Sequence, residues 1–386
     1  MVKVREDYSI SGDGEVDIDR CVQHIAEQTH LEDPDQLRRA CEKAAQIAVQ
    51  AFREDRLWAP GASSFRTGLE MAQVLAELHL DQASLVAAVL YRAVREERVP
   101  LEEVRKEFGD EVAGLINGVQ QMAAISSIHH PLKGNVLGQS EGQLDNVRKM
   151  LVTMIDDVRV ALIKLAERTC AIRAVKDAPE EKRMRVAREV FDIYAPLAHR
   201  LGIGHIKWEL EDLSFRYLHG SAYKKIAKLL DEKRLDRESY IRRVIDTLQT
   251  ELKASGIKAE LSGRAKHIYS IWRKMRRKGI DFSQVYDVRA VRILVPEVRD
   301  CYGALGIVHT LWRHIPNEFD DYIANPKENG YQSLHTAVIG PEGKVMEVQI
   351  RTHAMHEEAE LGVCAHWLYK GTDTRNKSTG YDAKIN

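Results

Sequence analysis

Through most of the first two thirds of the chain, apolar residues recur every three or four positions, the period of helices that bury one face. LEMAQVLAELH at 69–79 sets Leu69, Ala72, Leu75 and Ala76 on one side, and residues 101–122 do the same with Val104, Phe108, Val112, Leu115 and Ile116. Residues 123–143 contain Ser, His-His-Pro, Gly and Asn and predict a mobile loop. Helical periodicity returns from about Leu144 to Val175. Asp177-Ala-Pro-Glu-Glu then reads as a break and a helix start, with Pro179 tolerated in a first turn. Residues 182–255 continue as helices rich in Arg, Lys and Leu.

After Gly256 the period changes to two. IKAELSGRA, VYDVRAVRILV, SLHTAVIG and VMEVQIRT are short, β-branched and alternating, as strands are. HIYSIWRKMRRKG, RDCYGALGIVHTLWRH and HAMHEEAELGVCAHWLYK, set between and after them, read as helices. The pattern predicts an α+β multidomain chain, in which a helical part precedes an α/β or α+β domain on a sheet of about four or five strands. The last fifteen residues, TDTRNKSTGYDAKIN, read as a polar tail.

A length of 386 residues suits two domains. Lys plus Arg is 57 and Asp plus Glu is 58, a formal net charge of −1, so no global field draws the chain to nucleic acid or membrane. Phosphate recognition therefore has to come from a local patch. The five cysteines (Cys21, Cys41, Cys170, Cys301, Cys364) are scattered and never form CxxC, which excludes a disulfide scaffold and a cysteine-built zinc site and suits a reducing compartment. The charged start MVKVREDYSISGDGEVDIDR reads as no signal peptide, and apolar stretches such as residues 85–91 are far short of a membrane span. The expectation is a soluble, cytoplasmic protein with no membrane contact.

One local patch stands out. Residues 263–278 hold seven Lys/Arg and no acid. Arg264 and Lys266, two apart on an extended segment, point the same way. On the helix that follows, Ile268, Trp272 and Met275 make a buried stripe, and Ser270, Arg273, Lys274 and Arg277 line the other side. A strand end feeding a helix N-terminus with converging cations and a hydroxyl suits a triphosphate. A solvated basic helix face has the same composition.

Two strand candidates add carboxylates. Asp287 and Arg289 share one strand face, and Glu347, Gln349 and Arg351 share another. Acids flanked by Val and Ile are costly on a purely structural strand, and a pair of them beside cations suits a Mg²⁺-dependent phosphate-transfer site. Asp–Arg and Glu–Arg ion pairs at a sheet edge are the other reading. Between these strands, residues 318–335 read as a loop dense in hydrogen-bonding groups, in which Tyr331 either offers its ring to a base or only leads a turn into a strand. Other signals fail: Gly202-Ile-Gly204 has Lys207 where a dinucleotide fingerprint needs its third glycine, no P-loop pattern occurs, and His356-Glu357 has Glu360 where a zincin needs its second histidine.

Together GRAKHIYSIWRKM, YDVRAVRI, DYIANPKENGYQSLHT and EVQIRTHAMHEEAELGVCAHW resemble the synthetase domain of the RelA/SpoT family of alarmone synthetases. FGDEVAGLINGV, NVRKMLVTMIDDVRVALIKLAER and IYAPLAHRLGIGHIKWELEDLSFRYL are similar to that family's helical hydrolase domain and its connection to the synthetase. The resemblance implies a helical HD-like domain over 1–178, a nucleotidyltransferase-like synthetase domain with its connecting helices over 179–371, and the tail over 372–386. It implies transfer of a pyrophosphoryl group from ATP to the 3′-hydroxyl of GDP or GTP, with AMP released, in the stringent response. Arg264, Lys266, Ser270, Lys274 and Arg289 fall on the ATP side, with Arg264 near adenine. Asp287 would bind Mg²⁺, and Glu347 would assist the metal or act as base. Tyr331 would stack on guanine, with Lys327, Asn329, His335 and Gln349 around the acceptor nucleotide.

The hydrolase of that family needs a His/His-Asp/Asp set for Mn²⁺, and Thr67, Tyr91, Arg92 and Glu167 stand at those positions here. Arg has no lone pair for a metal. With the acidic Glu318-Phe-Asp-Asp, this implies a monofunctional RelA-type synthetase with an inactive hydrolase half. A bifunctional synthetase/hydrolase and a catalytically silent guanine-nucleotide-binding module are the alternatives. Ribosome and uncharged tRNA are expected to act only through a C-terminal half that this chain lacks.

Overall fold

The computed structural model describes residues 16–53, 63–128, 157–232, 234–264, 266–282, 285 and 288–365. They form two compact units that divide at Lys182/Arg183.

The first unit is helical: α1 (Ile18–Gln28), α2 (Pro34–Arg53), α3 (Ser64–Glu77), α4 (Gln82–Arg95), α5 (Leu101–Phe108), α6 (Asp110–Ile128) and α7 (Val158–Ala174). Helix α4 starts where Asp81 accepts a hydrogen bond from Ser84 N at 2.9 Å, and every residue from Ser84 to Val94 is buried. A helix that is buried all round belongs at the centre of its unit. Gly68 lets α3 lie against it, since a Cβ there would run into the Val89 carbonyl. Helix α6 runs to Ile128, so part of the segment expected as a loop is helical; the rest of that segment and the expected helix over 144–156 lie outside the described residues.

The second unit begins within α8 (Glu180–Glu189), which opens just after Pro179, and continues through a π-helical turn (Val190–Tyr194), α9 (Ala195–Arg200), α10 (Gly204–Leu218), α11 (Gly220–Glu232) and α12 (Arg234–Ala254). Then come β1 (Glu260–Gly263), α13 (Ile268–Lys278), β2 (Ala290–Val295), α14 (Val298–Leu311), β3 (Arg313–Asp321), β4 (Leu334–Ile339), β5 (Val345–Thr352) and α15 (His353–Leu361). The five strands lie in the order β1-β2-β5-β4-β3, with β2 and β5 parallel and the other neighbours antiparallel. Alternation gives this sheet two distinct faces. Val291, Ile293, Leu334, Val338, Met346, Val348 and Ile350 form one core with Tyr240, Val244, Leu248 and Leu252 of α12 and Cys301, Ala304 and Val308 of α14. The other face carries His335, Glu347, Gln349 and Arg351, with His335 paired to Gln349 and Ala337 to Glu347.

Several elements differ from expectation. The strand expected from Val285 begins only at Ala290. Glu318–Asp321, expected in a loop, belongs to β3, an edge strand whose burial lacks the alternation that marks a strand. On α13 the buried stripe is Ile268 and Ile271, and Trp272 and Met275 are half-buried. The last helix stops at Leu361, where Gly362 turns out of helical geometry at φ 56°.

Candidate active site

A cavity of about 400 Å³ opens on the polar face of the sheet. One wall is the basic segment. Arg264 N donates to Ala290 O at 2.8 Å, continuing the β1–β2 ladder, so the chain leaves the sheet with Arg264 and Lys266 beside the cavity. Ser270, Arg273, Lys274, Arg277 and Lys278 follow along α13, one face of a helix at the expected spacing. Ile268 and Ile271 hold that helix from behind against Phe215, Ile226 and Phe282. The first two amides of α13 do not face the cavity as a phosphate cradle would require: Ile268 N and Tyr269 N donate to the buried Asp212 carboxylate at 3.2 and 2.8 Å. Anion recognition on this wall thus falls to side chains.

The floor is Glu347. Its carboxylate lies 3.6 Å from Arg264 Nη1, 4.0 Å from Lys266 Nζ and 3.5 Å from His335 Nδ1, and accepts from Gln349 Nε2 at 2.9 Å. Burial pushes this carboxyl up, but Arg264 and Lys266, helped by the hydrogen bond from Gln349, more than offset it, so the group sits below the ordinary carboxylate range. Gln349 lines the cavity beside Glu347.

The opposite wall is the loop between β3 and β4. Gly330, at φ 77°, closes a turn in which its N–H donates to Lys327 O at 2.8 Å and Lys327 N donates to Tyr331 O at 3.2 Å. A side chain at 330 would be strained there. Lys327 Nζ stands 4.3 Å from the Tyr322 ring centroid and 5.3 Å from that of Tyr331. Burial lowers the pKa of its ammonium. Asn329 reaches back to His199 O at 3.3 Å. Burial, with Arg264 and Lys327 acting against the pull of Glu347, holds His335 at about 4, hence neutral. With its Nδ1 toward Glu347, its Nε2 accepts the Tyr331 hydroxyl at 2.8 Å.

One of the expected residues lies elsewhere, and one is not described. Arg289 is not among the lining residues; its guanidinium stands 5.9 Å from the Tyr240 ring centroid, on the side of the sheet that Val291 and Ile293 turn toward α12. Asp287 lies outside the described residues. Other lining residues were not singled out from the sequence: His199, Lys207 and Trp208 come from α9 and α10. Their signal was the Gly202-Ile-Gly204 turn, where Gly202 has φ 75° and a Cβ on Gly204 would come within 2.6 Å of Ala359 O.

In the helical unit, Arg92 and Glu167 belong to a charge cluster. Glu167 is fully buried, 2.9 Å from Lys164 Nζ, 3.1 Å from Arg95 Nη1 and 3.8 Å from Arg92 Nη1, and paired with Arg168. Burial pushes Glu167 up, yet Arg168 and Lys164 hold it well below the carboxylate range. Thr67 donates its hydroxyl to Ser63 O at 3.1 Å, and the Tyr91 hydroxyl is buried without a hydrogen-bond partner among the described residues.

Residues 44–204 match the HD domain, and residues 263–374 match the region found in RelA/SpoT proteins. The chain is 52% identical over 320 residues to a GTP pyrophosphokinase of Photobacterium angustum, covering 83% of this chain and 43% of that protein. It is 50% identical over 349 residues to a GTP pyrophosphokinase of Escherichia coli K12, covering 90% of this chain and 46% of that one. The chain therefore spans somewhat under half the length of these relatives. A small alarmone synthetase of Bacillus subtilis, bound to its product pppGpp, is 28% identical over 38% of this chain and 83% of its own, at a TM-score of 0.29, too low to carry an argument about fold. With an HD domain followed by a RelA/SpoT region, and about 50% identity to these relatives over most of its length, the chain belongs to the RelA/SpoT family.

Proposed function

We propose that this chain is a GTP/GDP pyrophosphokinase, taking ATP as donor and GDP or GTP as acceptor. The carrying observation is one cavity with a cationic wall, a carboxylate floor and an aromatic-cationic loop opposite. Arg264, Lys266, Ser270 and Lys274 hold the triphosphate, with Arg273 and Arg277 on the same wall. Tyr331 stacks on guanine, and Lys327, Asn329 and His335 surround the acceptor. The acceptor 3′-oxygen forms a bond to the β-phosphorus, the bond from that phosphorus to the α–β bridging oxygen breaks, and AMP leaves. Such a transfer needs chiefly alignment and neutralisation of charge, which these cations supply.

Glu347 is an ionised, hard oxygen donor, and Mg²⁺ takes one or two carboxylates with phosphates and water completing its shell, so the donor chemistry fits. Glu347, with Asp287 as the second carboxylate expected from the sequence, would hold the ion. When bound it would neutralise charge on the transferring phosphates. Arg264 and Lys266 also tune Glu347 directly. Once they share their field with phosphate oxygens, the carboxyl regains basicity and can accept the 3′-hydroxyl proton.

The helical unit has no hydrolase role in this reading. Arg92 and Glu167 pair with each other, at 3.8 Å, at positions where a metal-binding pair would stand. Ribosome and uncharged tRNA would act through segments beyond this chain, and the work would take place in the cytoplasm; among the described residues no helix is long and apolar enough to cross a membrane. Incubation with ATP, Mg²⁺ and labelled GDP, followed by nucleotide separation, tests the proposal: labelled ppGpp and equimolar AMP are expected, and neither forming under any Mg²⁺ concentration refutes it. Manganese-dependent release of pyrophosphate from ppGpp would move the chain to the bifunctional reading.

A further inference from the structure

Helix α13 carries most of the cationic wall but has no cap of its own. His267 occupies the cap position with extended backbone and makes no side-chain cap hydrogen bond. Its ring is instead stacked on Trp208, with centroids 5.0 Å apart at 20°. The missing cap comes from another helix: the Asp212 carboxylate of α10 accepts from Ile268 N with one oxygen and from Tyr269 N with the other. Asp212 is 4% exposed, so water does not compete for these amides.

The spacing along α10 shows how this arises. Trp208, Asp212 and Phe215 are four and three apart, hence one stripe of the helix, and His219 follows at its C-cap. Each meets the start of α13: Trp208 meets His267, Asp212 meets the first two amides, Phe215 meets Tyr269 and Trp272, and His219 stacks on Trp272 at 5.4 Å. Lys207, one position away, lines the cavity.

We infer that Asp212 is a positioning residue for the donor nucleotide: by capping α13 from α10 it sets where Ser270, in the first turn of that helix, meets the triphosphate. This rests on the assignment of that wall to ATP. A helix start whose amides lose their acceptor frays over its first turn, which contains Ser270 and adjoins Lys266. Lys274 and Arg277 lie deeper in the helix and keep their places, as do Tyr331 and Lys327 across the cavity. Loss of the cap therefore weakens the donor side selectively.

The experiment compares Asp212→Ala and Asp212→Asn with the wild-type protein. Amide hydrogen exchange over 268–271 reads the cap without any nucleotide. Binding of a non-hydrolysable ATP analogue and KM values for ATP and GDP read its consequence. Asp212→Ala should speed exchange in those amides and raise KM for ATP about 5–30-fold, with KM for GDP unchanged. Asp212→Asn keeps one carbonyl oxygen as acceptor and should recover most of the loss. Unchanged exchange in Asp212→Ala overturns the cap. Faster exchange with ATP and GDP impaired alike, or with Asn no better than Ala, overturns selective positioning. If the wild-type protein itself takes no ATP analogue, the donor-side assignment is what fails, and the positioning of ATP falls with it.

Discussion

Replacing Glu347 with Gln removes one charge and little else. The amide is nearly isosteric, and its remaining oxygen can keep the 2.9 Å bond from Gln349 Nε2. The carboxylate, however, is an anion placed between Arg264 at 3.6 Å, Lys266 at 4.0 Å and His335 at 3.5 Å. At an effective dielectric of about 20, each of the two full charge pairs is on the order of 4 kcal/mol before desolvation is set against it. Removing the anion frees both cations for phosphate, so affinity for a non-hydrolysable ATP analogue should hold or rise. The chemical step loses its metal-holding and proton-accepting group, which typically costs about 10²–10⁴ in rate. Calorimetric titration with the analogue and single-turnover formation of ppGpp, both on Glu347→Gln, separate the two effects. Turnover near the wild-type rate, or loss of ATP binding in step with the rate, would refute the reasoning.

Tyr331→Ala should weaken use of GDP about 5–150-fold, the worth of one stacked ring. Tyr331→Phe, which loses only the 2.8 Å bond to His335, should be milder; equal impairment would assign the effect to the hydroxyl. Burial holds His267, His335 and His356 at about 4, against an ordinary 6.5. Between those values the unfolded chain takes up protons that these rings refuse, so stability falls as pH drops from about 6.5 to about 4. Asp212, raised to about 6 by burial, and Glu211, which burial also raises, work the other way within that range, against these three histidines together with His199 and His309, which burial lowers. A melting temperature that stays flat or rises on acidification across this window would contradict the assignment. Glu167→Ala strands Lys164, Arg168 and Arg95 around a buried gap and should cost about 3–5 kcal/mol, read as a lower melting temperature of the helical unit.

Much of this molecule is legible in local periodicity. Arg264 to Arg277 could be read as one cationic face because helix and strand spacings are properties of the backbone alone, and the structure lines the cavity with that face. The alternation of Met346, Val348 and Ile350 with Glu347, Gln349 and Arg351 likewise separates core from polar face before any fold is known. What periodicity lacks is the partner. Strand β3 escaped notice because an edge strand exposed along most of its length has no apolar alternation to reveal it. Alternation puts Arg289 on the face of Val291 and Ile293, but only the packing of α12 and Tyr240 shows that this face turns away from the cavity. The roles of Lys207, Trp208 and Asp212 were hidden for a related reason. Their helix is evident from its spacing, but an aspartate on a helix face looks the same whether it meets water or, 56 residues onward, two backbone amides in search of an acceptor. Periodicity is set by neighbours along the chain; caps, ion pairs and cavity walls are set by neighbours in space, which only the tertiary structure brings together.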